Sequence, residues 1–296
     1  MSTETEKRWT FSAILKAAGR IILWLILPLI VGVALAQWFS PRPAVGVVRL
    51  RYDIWSGSAN FIMQQIDEAR RDPRIRAIVL QMDSPGGEVV ATQTLFLEVQ
   101  NLRRRMPVVG SIDNMAASGA FYLAMATDPI FAKPSSDVGN VGVWSLVPQD
   151  ISLSDLILAS GPFKLTASNQ DEFVRQIESI KQEFIATVVT ARGQRLIISP
   201  SDLSQGLLYT GRDALRLGLI DHLGAESDAI KTAAAQAGIH NYDVIDLEAR
   251  VIAKQLAASG TPSAGVWQGA TDAQTGQRKL PPGIYLLYDP RLGGTP

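Results

Sequence analysis

Apolar residues follow three patterns along this chain. The first is a single unbroken run near the amino terminus, "IILWLILPLIVGVALAQWF" (residues 21–39), which carries no charge. At about 1.5 Å of helix rise per residue it nearly spans the roughly 30 Å hydrocarbon core of a bilayer. Pro28 would kink such a helix but is tolerated in membranes. The second pattern is the short continuous apolar run bounded by turn residues, seen in "VGVVRL", "IRAIVLQMD", "PVVGSID" and "PIFAKP". Such runs are expected of strands buried on both faces of a parallel sheet. The third is apolar spacing by three and four. "SGSANFIMQQIDEARRD" places Phe61, Ile62 and Ile66 on one helix face.

Further helices are expected over residues 88–105, 170–193 and 227–237, the last with Ser227 as its amino-terminal cap. "SDLSQGLLYTGRDALRLGLIDHLG" reads as loop, short helix and strand, and "YDVIDL" as a late strand. Residues 258–282 are rich in Gly, Ser, Thr, Pro and Gln, as in a linker or loose tail. "GIYLLYDPRLGG" adds one terminal strand. No solenoid-length repeat interrupts this order. Strands alternating with helices define an α/β domain with a parallel sheet.

Charge decides the topology expected of the first run. Lys7, Arg8, Lys16 and Arg20 precede it, which places the amino terminus in the cytoplasm and the rest of the chain outside. Arg42, Arg49 and Arg51 weaken that bias without reversing it. A second reading has Ala34-Leu35-Ala36 before Gln37 as a signal-peptidase site. Both readings export the domain. The expected organisation is a cytoplasmic segment (1–20), a transmembrane anchor (21–39), the folded domain (40–250) and a carboxy-terminal linker and tail (251–296).

Composition then narrows the chemistry. The chain has 296 residues, 47% of them hydrophobic, enough for a sizeable core. Its formal net charge is zero, which argues against a nucleic-acid partner held by electrostatics. It has no cysteine, so disulfides, thiol catalysis and cysteine-ligated metals are excluded. Only two histidines, His222 and His240, are available to a metal site or a histidine triad, and both lie in turn-like contexts. No metal and no cofactor are expected.

Two turns remain as candidate chemistry. In "MDSPGGEV", Asp83 and Ser84 end a strand, Pro85 sets the turn, and Gly86 and Gly87 leave their backbone N–H groups open to close approach. This is either half of an oxyanion hole or an ordinary strand-to-helix turn. In "DNMAASGAFYLAMATD", Ser118 sits between a strand and a helix with the Gly119 N–H beside it. That is the logic of a nucleophile elbow, although the G-x-S-x-G spacing is absent. The alternative is a helix-capping serine. A nucleophilic serine needs a base. Lys164, preceded by the apolar "LILASGPF", serves if burial keeps it neutral; otherwise it is a solvated loop lysine.

"LQMDSPGGEV", "PVVGSIDNMAASGAFYLAMATDPIFAKPSSDVGNVGV", "ASGPFK" and "LYTGRDALRLGLIDHLG" occur in that order. Together, over residues 45–246, they resemble the signal peptide peptidase A (protease IV) family of membrane-anchored serine proteases, in its short single-repeat form. The resemblance implies a Clp-protease/crotonase-like α/β spiral with parallel sheets and flanking helices. It implies Ser118 as nucleophile, Lys164 as general base, the Gly87 and Gly119 amides as oxyanion hole, and Gly86 shaping the turn. It also implies a ring-like homo-oligomer in which Ser and Lys come from neighbouring subunits. Substrates would be remnant signal peptides and other unfolded hydrophobic peptides at the membrane.

The chain departs from the family pattern in three places. Ala120 replaces a usual second glycine, with Phe121 where tyrosine is common. Asn140 stands where the family usually has a serine that helps hold the lysine; its amide oxygen is able to accept from Lys164. The stretch after Lys164 is shorter and more polar than usual, which leaves the helix register over 171–184 open. The leading expectation is a Ser/Lys peptidase, with Met115, Phe121 and Trp144 either lining an apolar pocket or packing the core. An inactive scaffold or peptide-binding member of the fold is the alternative, motivated by Asn140. A crotonase-like acyl-CoA enzyme is disfavoured by export.

Overall fold

A computed structural model describes residues 16, 19–20, 22–32, 41–146, 160, 164, 169–259 and 283–288. The chain divides into two compact units, Met1–Arg42 and Pro43–Pro296. In the first, a π-helical turn at Ile22–Ile26 continues as α-helix through residue 32. Every described side chain of that run is exposed, Trp24 to 75%. Among the described residues no helix is long and apolar enough to cross a membrane. Residue 21 and residues 33–39 of the expected anchor lie outside the described residues.

The second unit is built on an eight-stranded sheet whose path is β10–β1–β2–β4–β5–β9, with β6 on β4 and β8 on β6. Its strands are β1 Ala44–Leu50, β2 Ile75–Ser84, β4 Val108–Ala117, β5 Ile130–Ala132, β6 Asp137–Gly139, β8 Leu208–Thr210, β9 His222–Leu223 and β10 Asp243–Asp246. All pairings are parallel except β6 with β8. A second, three-stranded antiparallel sheet has the order β3–β11–β7, from Gly86–Glu88, Gly283–Leu287 and Trp144–Leu146.

Helices cover both faces of the main sheet, which is why its strands read as unbroken apolar runs. On one face Val48, Leu50, Ile78, Leu80 and Ile112 pack in the main core against α1 (Ser56–Arg71), α2 (Val89–Arg103), α3 (Gly119–Ala124) and α4 (Gln170–Arg192). On the other, Val45, Val47, Ala77, Val79 and Val109 meet Ala229, Ala233 and Ala234 of α7 (Glu226–Gln236). The short helices α5 (Pro200–Leu203) and α6 (Gly211–Arg216) flank β8, and α8 (Leu247–Ser259) follows β10. Helix α8 runs through residue 250, and β11 pairs inside this unit. Residues 260–282 of the expected tail lie outside the described residues.

Local chemistry explains where the expected boundaries shift. Helix α7 begins at Glu226, one residue before the expected cap Ser227. Asp228 reaches back to accept from the Ala225 N–H at 3.0 Å, so its carboxylate replaces a serine cap. Helix α4 starts where Asn169 accepts from the Glu172 N–H at 2.8 Å, which fixes the register left open over 171–184. The strand seen in "PVVGSID" continues to Ala117 and delivers Ser118 at its end.

One buried ion pair locks the carboxy end of α4 to the sheet. Arg192 donates Nε to the Gly218 carbonyl at 2.8 Å and both terminal nitrogens to Asp221 at 2.9 and 2.8 Å. Asp221 also accepts from the Ile130 N–H of β5 at 2.8 Å. Burial pushes the Asp221 carboxyl up, but the Arg192 and Ile130 hydrogen bonds and the Arg192 and Arg195 charges outweigh it and hold it below its ordinary value. Its contribution is therefore fully present above the unfolded value of about 3.9 and is lost as pH falls through the lower folded value. Replacing Arg192 by Met strands a buried carboxylate, and denaturant melts at pH 7 are expected to show a loss of about 3 kcal/mol. A change within error would mean that the exposed Arg195, 2.8 Å from Asp221, holds it alone.

Candidate active site

The site forms where the ends of β2, β4 and β6 meet. Strand β2 carries Asp83 and Ser84 to its end, and its pairing with β4 shifts register between Met82 and Ser84. The chain then turns at Pro85 and Gly86, whose φ of +95° favours glycine. Gly86 and Gly87 are pressed against backbone. The Gly86 carbonyl accepts from the Ile54 N–H, and the Ile54 carbonyl from the Glu88 N–H, both at 2.8 Å. A Cβ on Gly87 would stand 2.0 Å from the Ile54 carbonyl oxygen, and one on Gly86 would stand 2.5 Å from the Gly119 nitrogen. These are the close approaches the "SPGG" turn implies. Burial and the neighbouring Asp113 charge push the Asp83 carboxyl up, against the Asn114 and Met115 hydrogen bonds and the Lys133 charge.

Ser118 follows Ala117, the last residue of β4, and donates its N–H to the Gly139 carbonyl of β6 at 2.8 Å. It is 1% exposed and has φ of +51° and ψ of −117°. A non-glycine residue there is uncommon and strained. Ser118 occupies the capping position of α3, yet its side chain makes no capping hydrogen bond. The helix-cap explanation of this serine therefore fails. Gly119 follows as the first residue of α3, where a helix leaves N–H groups without internal partners. A Cβ on Gly119 would lie 3.2 Å from the Gly87 nitrogen. The structure thus brings Ser118, Gly119, Gly86 and Gly87 into one tight cluster.

Asn140 lies beside the same turn, one residue beyond the Gly139 that pairs with Ala117. It adopts φ of +56°, a conformation asparagine tolerates better than most residues. Its Nδ2 donates to the Gly206 carbonyl at 2.7 Å and its N–H to the Leu207 carbonyl at 2.8 Å. Lys164 is exposed, and among the described residues no hydrogen bond joins it to Ser118 or Asn140. Residues 161–163 and 165–168 around it lie outside the described residues. His222 is exposed and stacks on Phe131 at 4.9 Å, and His240 is exposed. No group of metal-ligating side chains occurs among the described residues.

Of the apolar candidates, Phe121 is fully buried in the main core and Met115 is half-buried in β4. Trp144 packs instead on Tyr285 of β11 at 4.8 Å between ring centroids. The sequence reading missed Thr92. It is buried on α2, its Oγ1 has no hydrogen-bond partner among the described residues, and a Cβ on Gly119 would stand 2.8 Å from it. The signal was present: Thr92 is the polar member of the apolar stripe Val89, Leu95, Phe96 and Val99. Leu286, whose carbonyl oxygen reaches the same cluster, was also missed.

Fold and site together define an α/β protein centred on a strained, buried serine at a strand-to-helix turn, with two glycine amides beside it. Residues 100–155 and 159–240 match the family description "Peptidase family S49", a span that holds Ser118, Asn140 and Lys164. The chain is 30% identical over 224 residues to the "Putative protease" of Synechocystis sp., covering 71% of this chain and 79% of that protein. It is 33% identical over 192 residues to protease 4 of Salmonella typhi, covering 60% of this chain and 31% of that protein. It is 26% identical over 196 residues to "Serine protease SPPA, chloroplastic" of Arabidopsis thaliana, covering 61% of this chain and 29% of that protein. The chain thus spans less than a third of the length of the last two. The chain belongs to peptidase family S49, which bears out the resemblance carried by its four motifs.

Proposed function

We propose that this chain is a membrane-anchored serine endopeptidase with a Ser118/Lys164 dyad, acting on unfolded hydrophobic peptides such as remnant signal peptides. The observation that carries the reading is the strained, buried Ser118, whose hydroxyl caps nothing and whose turn faces the Gly87 and Gly119 backbones. Ser118 Oγ attacks the scissile carbonyl carbon, and Lys164 Nζ takes its proton. The two amides stabilise the oxyanion. Lys164 then passes the proton to the leaving amine, and water hydrolyses the resulting ester to free Ser118. The exposed position of Lys164 against the buried Ser118 of the same chain supports a dyad completed between neighbouring copies in a homo-oligomer. The exposed apolar helix over residues 22–32, within a longer uncharged run, supports the anchor, with the peptidase domain on the extracytoplasmic side.

A second reading, an inactive peptide-binding member of the fold, draws on Asn140. Its conformation and its Gly206 hydrogen bond account for it without any catalytic part. Cleavage of casein at saturating concentration by the detergent-solubilised full chain and by its Lys164→Met variant separates the two. The dyad predicts a loss of about 10²–10⁴-fold in the variant. Equal cleavage by both overturns the dyad, and no cleavage by the wild type favours the binding reading.

A further inference from the structure

Among the described residues two buried side-chain atoms have no hydrogen-bond partner, Gln81 Oε1 within β2 and Thr92 Oγ1 on α2. Burying a hydroxyl without a partner is costly, so such an atom calls for an explanation. Thr92 is 0% exposed. It follows Val89 by three residues and precedes Leu95, Phe96 and Val99 by three, four and seven, all of them buried on the same helix face. Valine has the same shape and would fill that place with no polar atom to satisfy.

The hydroxyl passes over the partner its own helix offers. A threonine inside a helix can donate to the carbonyl four residues earlier. Thr94, two positions on, does this, its Oγ1 reaching the Val90 carbonyl at 2.8 Å. Thr92 makes no such bond to Glu88. Its Oγ1 lies against the Ser118 turn, 2.8 Å from where a Cβ on Gly119 would stand. The Gly87 nitrogen lies 3.2 Å from that same point. The Leu286 carbonyl oxygen lies 2.9 Å from it, and Thr92 does not bond to that oxygen either. Only a glycine at 119 lets the hydroxyl come this close to the Gly87 and Gly119 backbones.

We propose that the Thr92 hydroxyl is a third donor to the oxyanion, beside the Gly87 and Gly119 amides. This rests on the serine-peptidase reading of the site. In the resting protein the Thr92 O–H has no acceptor. When Ser118 Oγ adds to the scissile carbonyl carbon, the carbonyl oxygen becomes an anion held by the two amides, and the Thr92 O–H donates to it. The hydrogen stays on Thr92 and no proton is transferred. A donor engaged only in the transition state raises kcat and leaves substrate binding alone. Because packing already holds Thr92 in place on α2, little reorganisation is needed at the moment of reaction.

Casein hydrolysis and thermal melting of the detergent-solubilised full chain test this, with Thr92→Val and Thr92→Ser beside the wild type. Valine keeps the shape and removes the donor; serine keeps the donor and removes a methyl group. Thr92→Val is expected to lose about 10–10²-fold in kcat, with KM unchanged and melting no earlier than the wild type. Thr92→Ser is expected to melt earlier, because the lost methyl group leaves a small cavity, yet to recover most of the lost rate. Rate and stability then move in opposite directions across the pair, which a packing role would not produce. Wild-type kcat in Thr92→Val overturns the third donor and leaves the peptidase reading standing. So does a loss of rate in Thr92→Ser equal to that in Thr92→Val, or a Thr92→Val protein that fails to fold. No hydrolysis by the wild type removes the peptidase reading, and the third donor with it.

Discussion

Ser118→Ala is expected to reduce casein hydrolysis by about 10⁴–10⁶-fold in kcat, while the melting temperature stays close to that of the wild type. The two halves of this expectation have separate causes. The hydroxyl is the atom that forms the acyl bond, and removing it leaves only what the amides and peptide positioning contribute. Among the described residues that hydroxyl makes no capping bond to α3, so its loss takes no such bond from the fold. The strain belongs to the backbone at φ of +51°, and alanine carries the same Cβ and the same penalty as serine. The Ser118 N–H still donates to Gly139 in the variant, so the junction of β4 and β6 is kept. Stopped cleavage with an unchanged melt is the signature of a nucleophile. A variant that cleaves within tenfold of the wild type removes Ser118 from the chemistry, and one that melts early assigns it to the fold.

What could be read from the sequence depends on the range of the interaction. Strands β1 and β2 were legible because burial on both faces writes itself into consecutive residues, as in "VGVVRL" and "IRAIVLQMD". The "SPGG" turn was legible because a close backbone approach excludes a side chain, and the contacts around Gly86 and Gly87 bear this out. The start of α7 was misplaced because two polar residues compete there, and the Asp228 carboxylate reaches the Ala225 N–H. Asn140 reads from the sequence either as a residue that holds Lys164 or as a mark of weakened activity; the structure shows a positive φ and a bond to Gly206 that no local pattern encodes. The pattern "GIYLL" announces a strand but not its neighbours. Its place between β3 and β7 follows from pairing with residues far earlier in the chain and from the burial of Tyr285 and Leu286. The role of Lys164 came from the family resemblance, and its exposed position adds no contact that would have revealed it.

Gly87→Ala is expected to damage both rate and stability, which distinguishes it from Ser118→Ala. The new methyl group would stand 2.0 Å from the Ile54 carbonyl oxygen and 2.6 Å from the Ile54 nitrogen and carbonyl carbon. These are main-chain atoms, so no rotamer change relieves the clash. Ile54 cannot easily retreat, because it is fully buried and bonded to Gly86 and Glu88 on either side. The turn must therefore move, carrying the Gly87 amide away from Gly119. Losing one oxyanion donor lowers kcat by about 10²–10³-fold, and overpacking of this kind destabilises by about 1–3 kcal/mol. Gly142→Ala is the control from the nearby "GNVGV" stretch: a Cβ there meets nothing within 4 Å among the described residues, and wild-type rate and melting are expected. If Gly87→Ala behaves like Gly142→Ala, the amide of Gly87 is not part of the catalytic apparatus. If Gly87→Ala melts early yet keeps its rate per folded molecule, the glycine serves packing alone and the oxyanion is stabilised elsewhere.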